Sequence, residues 1–199
     1  MNVLLVAIHN ETISKYQAIV SGAALNASFF EIEVFSSVRA SLDHGIAPVA
    51  VLDFGAATSK LYIVERGIVR ESHIVNRGSQ DVTLAVSQAL NITVAQAEEL
   101  KRVKGLSDKT QVDFIKSAEL TLQYILTEIN RVLVAYESRA QVSISKLVCV
   151  GGGSSLKGFK EYASSKTNTP VELADPFGKT EAPAFLGDVL KEAGPEFSV

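Results

Sequence analysis

Residues 49–65 read VAVLDFGAATSKLYIVE, and this stretch decides the fold. Two runs rich in Val, Leu, Ile and Tyr, at 49–54 and 60–65, are strand-like and enclose a turn of small residues. A third run, 68–75, follows across Glu65-Arg66-Gly67, where glycine supplies the positive φ of a tight hairpin. The three make a β-meander. Asp53 stands at the end of its first strand. Gly55, Ala56 and Ala57 lack bulk, so backbone N–H groups there can approach a phosphate closely. Thr58 and Ser59 add hydroxyls, and Asp53 is a hard oxygen donor able to hold a Mg²⁺-bound water. The same residues also suit an ordinary hairpin with a small-residue turn.

Downstream the pattern turns helical, at 81–90 and 93–104, with a break at Gly105. From 113 to about 140, Ile115, Leu122, Ile125, Leu126, Ile129, Val132, Leu133 and Tyr136 recur at spacings of three and four. That predicts a long amphipathic helix, with Ser107 or Asp108 as capping candidates. A short buried strand, 147–150, runs into Gly151-Gly152-Gly153-Ser154-Ser155-Leu156-Lys157-Gly158. A helix at 156–164 and a strand at 171–174 follow. Upstream, 3–8 and 29–34 read as strands, 11–24 as a helix and 36–42 as one or two helical turns. Gly45 and Pro48 mark a boundary at 43–48. The order predicts a mixed α/β layer structure rather than a doubly wound parallel sheet.

Three consecutive glycines are costly in conformational entropy, which favours a role that needs close backbone approach. The helix start after them offers N–H groups to an anion. The segment is neither a Walker A motif nor a Rossmann fingerprint. Lys157 can neutralise a phosphate or simply lie at the surface. Glu98 and Lys101 share a helix face, where a solvated ion pair is the ordinary outcome.

Composition excludes several classes. The 199 residues are 47% hydrophobic and 21% charged, as in a folded globular protein. A net charge of −3 leaves no basic footprint for nucleic acid. The apolar runs are too short to span a bilayer. His9, His44 and His73 share no metal-ligand spacing. Cys149, alone in an apolar run, reads as a small buried hydrophobe.

Taken in order, the three segments resemble the actin/Hsp70/FtsA superfamily. Its phosphate-2 motif, Asp-x-Gly-x-x-Thr, is matched by Asp53-Phe54-Gly55-Ala56-Ala57-Thr58. Its adenosine motif, an apolar strand and then glycines and serine, is matched by Val150 to Ser155. Its helical Glu-x-x-Lys is matched by Glu98 and Lys101. Within the superfamily the chain is most similar to the PilM family of type IV pilus assembly proteins, over nearly its whole length. The ending, with Asp175-Pro176-Phe177 and Gly194-Pro195-Glu196-Phe197, is part of that likeness.

The resemblance implies an actin-like ATPase (ribonuclease H-like) domain with a mixed β-sheet and flanking helices, residues 48–199. Residues 1–47 would be the remnant of a first actin-like domain. It implies ATP and Mg²⁺ as cofactors, held by Asp53, Gly55, Ala56, Ala57, Thr58, Glu98, Lys101, Gly151, Gly152, Gly153, Ser154 and Lys157. Asp53 would be the catalytic residue and would touch the metal through water. No counterpart of the family's phosphate-1 turn precedes Met1, so the expectation is ATP binding rather than turnover by this chain alone. The implied partners are the PilN N-terminal cytoplasmic peptide and other pilus platform proteins, at the cytoplasmic side of the inner membrane without direct insertion. The resemblance leaves room for a homo-oligomer. An FtsA-like division protein and a degenerate GspL-like scaffold without nucleotide turnover are the alternatives.

Overall fold

The meander forms as its hydrophobic pattern dictates. In the computed structural model, which describes residues 5–43 and 45–197, β1 (Val49–Phe54), β2 (Ser59–Glu65) and β3 (Ile68–Val75) pair antiparallel in sequence. Arg66 and Gly67 both take positive φ, 53° and 74°, as a two-residue hairpin between right-twisted strands requires. β4 (Leu147–Val150) then adds parallel to the other edge of β1, and β5 (Val171–Leu173) adds parallel to β4. The sheet order is therefore β3-β2-β1-β4-β5, a mixed sheet with β1 at its centre.

Alternation along the strands gives the sheet two different faces. Leu52, Phe54, Leu61, Ile63, Leu147 and Cys149 point into the main core. There they meet α3 (Ser79–Leu90), α5 (Val112–Ala140) and α6 (Phe159–Lys166). The apolar stripe of α5 is buried from Leu122 onward, at Leu122, Ile125, Leu126, Ile129, Val132, Leu133 and Tyr136, while Ile115 is half-buried against the same core. The shorter α4 (Val94–Val103) packs on α3 and is opened by Thr93, whose hydroxyl accepts the Gln96 N–H at 3.2 Å. On the opposite face Val51, Tyr62, Val148 and Val150 form a smaller cluster with Val34 and Leu42, at α2 (Glu33–Ser41).

Several expectations need correction. Residues 29–34 do not form a strand. α2 begins at Glu33 and runs to Ser41, with the Ser36 and Ser37 hydroxyls donating to the Glu33 carbonyl. Residues 5–8 of the strand expected at 3–8 are irregular and exposed, while Val3, Leu4 and His44 lie outside the described residues. The long helix is entered through Gln111 without a side-chain cap. Asp108 instead accepts from the Thr110 hydroxyl and N–H. Gly158, at φ 81°, delays the helix after the glycines until Phe159, and Gly152–Ser155 coil as a single 3₁₀ turn.

A break after Ile32 divides the chain into two compact units. The first carries α1 (Asn10–Gly22), a helix with no buried residue. The second contains the sheet, the remaining helices and everything described below.

Candidate functional site

Because β1 and β4 are parallel neighbours, the turn after one and the loop after the other emerge at the same edge of the sheet. They touch. A Cβ on Gly153 would lie 2.6 Å from the Phe54 ring and from the Phe54 carbonyl oxygen. A Cβ on Gly151 would lie 2.6 Å from Asp53 Oδ1, and its φ of 86° already disfavours any side chain. These two glycines are thus required by the packing of the loop on β1. Gly152 is different: its nearest neighbour, Glu196 Cγ, would be 4.0 Å away, and it is exposed.

The turn at residues 55–58 is tied down from behind. Gly55 N–H donates to the Thr58 carbonyl, while the Gly55 and Ala56 carbonyls accept from Ser79 and Gln80 at the start of α3. Gly78 lets this approach happen, since a Cβ there would stand 2.2 Å from the Ala56 oxygen. The amides of Ala56, Ala57 and Thr58 donate to no other backbone group among the described residues, and both alanines are exposed. Three successive unused N–H groups in a turn are an anion-binding feature.

Beside the glycine loop lies a cavity of about 550 Å³. Of the residues singled out by sequence, Glu98, Lys101, Gly152, Gly153 and Lys157 line it. Lys101 is buried, and its ammonium donates to Glu98 Oε2 (2.7 Å), Thr83 Oγ1 (2.9 Å) and the Ser79 carbonyl (3.2 Å). Thr83 in turn donates to Glu98 Oε2 at 2.6 Å. Burial works against the Glu98 carboxylate, but the bonds from Lys101 and Thr83 outweigh it and hold Glu98 below the usual range. The pair is therefore held in place by shared hydrogen bonds rather than being a loose surface ion pair. Lys157 reaches the Val103 carbonyl at 3.0 Å.

Other residues fall elsewhere. Ser154 is buried and its hydroxyl donates to the Val150 carbonyl, so Ser155 rather than Ser154 lines the cavity. The Ser155 Oγ is buried without a hydrogen-bond partner, leaving it available to a ligand. Gly55, Ala56, Ala57, Thr58 and Gly151 sit outside the lining, at the adjoining turn and loop base. Sequence reasoning missed Phe54, Ser79, Arg102 and the C-terminal wall of Val189, Ala193 and Glu196. That wall is hung on the loop by Gly151 N–H donating to the Pro195 carbonyl at 2.7 Å. Arg102, next to Lys101 on the same helix, was the one with a readable signal.

Asp53 lies on the sheet's other face. It is the register partner of Lys60, whose ammonium stands 3.6 Å from Asp53 Oδ2 and bonds Glu33 Oε1. Burial, and then the hydrogen bond it donates to the Glu33 carboxylate, push Asp53 up to about 6. Asp53 is poorly placed to ligate a divalent cation directly: one oxygen lies toward Gly151 and the other faces an ammonium.

A mixed five-stranded sheet with two loops converging beside a glycine-walled cavity defines an actin-like ATPase fold. The sequence model of one family, "Cell division protein FtsA", matches residues 50–190, and the chain belongs to that family. Among solved structures it is similar to the PilM-PilN type IV pilus biogenesis complex, with TM-score 0.80 and 22% identity over 95% of this chain and 55% of that one. It is similar to the ethanolamine utilization protein EutJ from Carboxydothermus hydrogenoformans (TM-score 0.68, 20% identity, 84% of this chain, 57% of that one). MreB5 of Spiroplasma citri bound to ADP follows at TM-score 0.62 and 14% identity, over 85% of this chain and 62% of that one. The chain thus spans little more than half the length of these structures. No curated protein matches it.

Proposed function

We propose that this chain is the nucleotide-holding part of a PilM-like scaffold of the type IV pilus inner-membrane platform. In this reading residues 48–199 are the second actin-like domain and 1–47 belong to the first. The observation that carries it is the meeting of the Asp53–Gly55 strand end with the Gly151–Gly153 loop beside the cavity walled by Glu98 and Lys101. ATP or ADP would lie with its nucleoside in that cavity and its phosphates toward the free amides of residues 56–58. The likeness to MreB5 bound to ADP supports a nucleotide, and the likeness to the PilM-PilN complex supports a PilN N-terminal peptide as partner. No helix among the described residues is long and apolar enough to cross a membrane. In this reading the PilN-type partner would hold the scaffold at the membrane.

Calorimetry with ATP and ADP, followed by capture of the chain on an immobilised PilN N-terminal peptide, tests both halves. Micromolar nucleotide binding that weakens about tenfold in Lys101→Met is expected. Heat-silent titrations at millimolar nucleotide would end the nucleotide reading. A second reading, a division protein of the FtsA kind, is favoured by the match of that family's model over residues 50–190. Nucleotide binding without peptide capture would move the assignment to it.

A further inference from the structure

Asp53 and Lys60 are paired across the base of the turn and lie on one face of the sheet. Their side chains differ in access: Lys60 is 25% exposed and Asp53 only 7%. Lys60 is thus the more accessible member of this pair, and the Glu33 carboxylate bonded to it is more accessible still, at 40%. The carboxylate itself is committed. Its Oδ1 lies toward Gly151, where a Cβ would stand 2.6 Å from it, and its Oδ2 faces Lys60 at 3.6 Å. Glu33, the second acid of the cluster, is bonded to Lys60. Burial works to neutralise the lysine, but its contacts with Glu33 and then Asp53 raise its pKa above the usual value, so the charge is permanent at neutral pH.

Mg²⁺ demands near-octahedral oxygen ligands at about 2.0–2.1 Å, directly or through its waters. Placing it at Asp53 would set a dication within a few ångströms of a fixed monocation, with both carboxylates already engaged. We propose that Lys60 occupies the place beside Asp53 that a divalent cation would otherwise take, so that a nucleoside di- or triphosphate binds this chain without Mg²⁺. The inference rests on the nucleotide reading for its second half only. The Lys60 ammonium and the free amides of Ala56, Ala57 and Thr58 together supply the positive side of the phosphate contact.

Two measurements on the full chain test it. Calorimetric titration of ADP in excess Mg²⁺ and in EDTA should give dissociation constants that agree within about twofold for the wild type. Lys60→Met should weaken binding in EDTA by about tenfold and regain most of it in Mg²⁺. Tightening of wild-type binding by tenfold or more on adding Mg²⁺ overturns the proposal. Titration with Mn²⁺ alone, read by electron paramagnetic resonance, needs no nucleotide. The wild type should leave Mn²⁺ free while Lys60→Met binds it. Mn²⁺ held by the wild type, or by neither protein, sinks the idea that Lys60 keeps the cation out. If the variant does not fold, as judged by circular dichroism, the wild-type arms still decide. Wild-type ADP binding in neither buffer removes the nucleotide reading, while the Mn²⁺ arm separately judges the exclusion.

Discussion

Gly153→Ala adds a single methyl group at a place where the structure has no room for one. The new Cβ would meet Phe54 Cδ1, Phe54 Cγ and the Phe54 carbonyl oxygen, each at 2.6 Å. The ring has no free direction to take. Phe54 is 1% exposed and packs on Phe159 with ring centroids 5.1 Å apart. The carbonyl belongs to the central strand and is still less able to yield. Overpacking of this kind costs about 1–3 kcal/mol, and contact with backbone places this case toward the upper end. At about 2–4 °C per kcal/mol for a chain of this size, Tm should fall by about 4–12 °C. The neighbouring Gly152→Ala is the control, because its Cβ finds nothing nearer than 4.0 Å. Its stability should stay within about 0.5 kcal/mol of wild type, as for surface substitutions generally. Urea unfolding followed by circular dichroism reads both. Equal stability of the two variants would refute the claim that the loop rests directly on β1.

Three further outcomes follow from the geometry. Lys101→Met leaves the Thr83 hydroxyl, the Ser79 carbonyl and Glu98 without their shared donor, and should cost about 2 kcal/mol by urea unfolding. Because the folded pKa of Glu98 lies below its unfolded value, its contribution is present above the unfolded pKa and is lost as pH falls through the folded one. Lys101→Met should therefore flatten the acid limb of the stability profile. Asp53 has the opposite sign: its pKa rises from 3.8 to about 6, so its contribution is complete below the lower value and lost as pH climbs through the upper one. Asp53→Asn should remove that loss and gain on the order of 1 kcal/mol at pH 8, discounted for the water that reaches Lys60 and Glu33. Thr93→Ala deletes the cap of α4 and should cost about 1 kcal/mol, read as a shift in urea midpoint with an unchanged slope.

The elements legible in the sequence were those whose period and punctuation agreed. β1, β2 and β3 alternate or run apolar between Pro48, the small-residue turn and Arg66-Gly67, and α5 repeats its apolar residues over many turns. Residues 29–34 misled because Phe29-Phe30-Glu31-Ile32-Glu33-Val34 alternates as a strand does, while the helix that forms starts at Glu33 and buries only Ser37. The cavity was half legible. Glu98, Lys101 and the glycines carry local signals, but Ser79, Val189 and Glu196 reach it only through tertiary packing. The Lys60–Asp53 pair was recoverable in principle, since a four-residue turn between 54 and 59 fixes their register. Glu33 was not, because nothing local says that α2 lies against that face.

The parallel pairing of β1 with β4 bears on the order in which the protein folds. The meander closes through short loops, whereas the bond from the Ser145 hydroxyl to the Pro48 carbonyl, at the start of the β1–β4 pairing, joins residues 97 apart. Closure of so long a loop is entropically costly and slow, so the β1–β4 pairing is expected to be a late step. The turn at residues 55–58, set between strands that pair through short loops, is expected to form before the Gly151–Gly153 loop is brought against it. On the reading proposed above, a nucleotide spanning both would bind only the finished sheet and add its binding free energy to what keeps β4 in place.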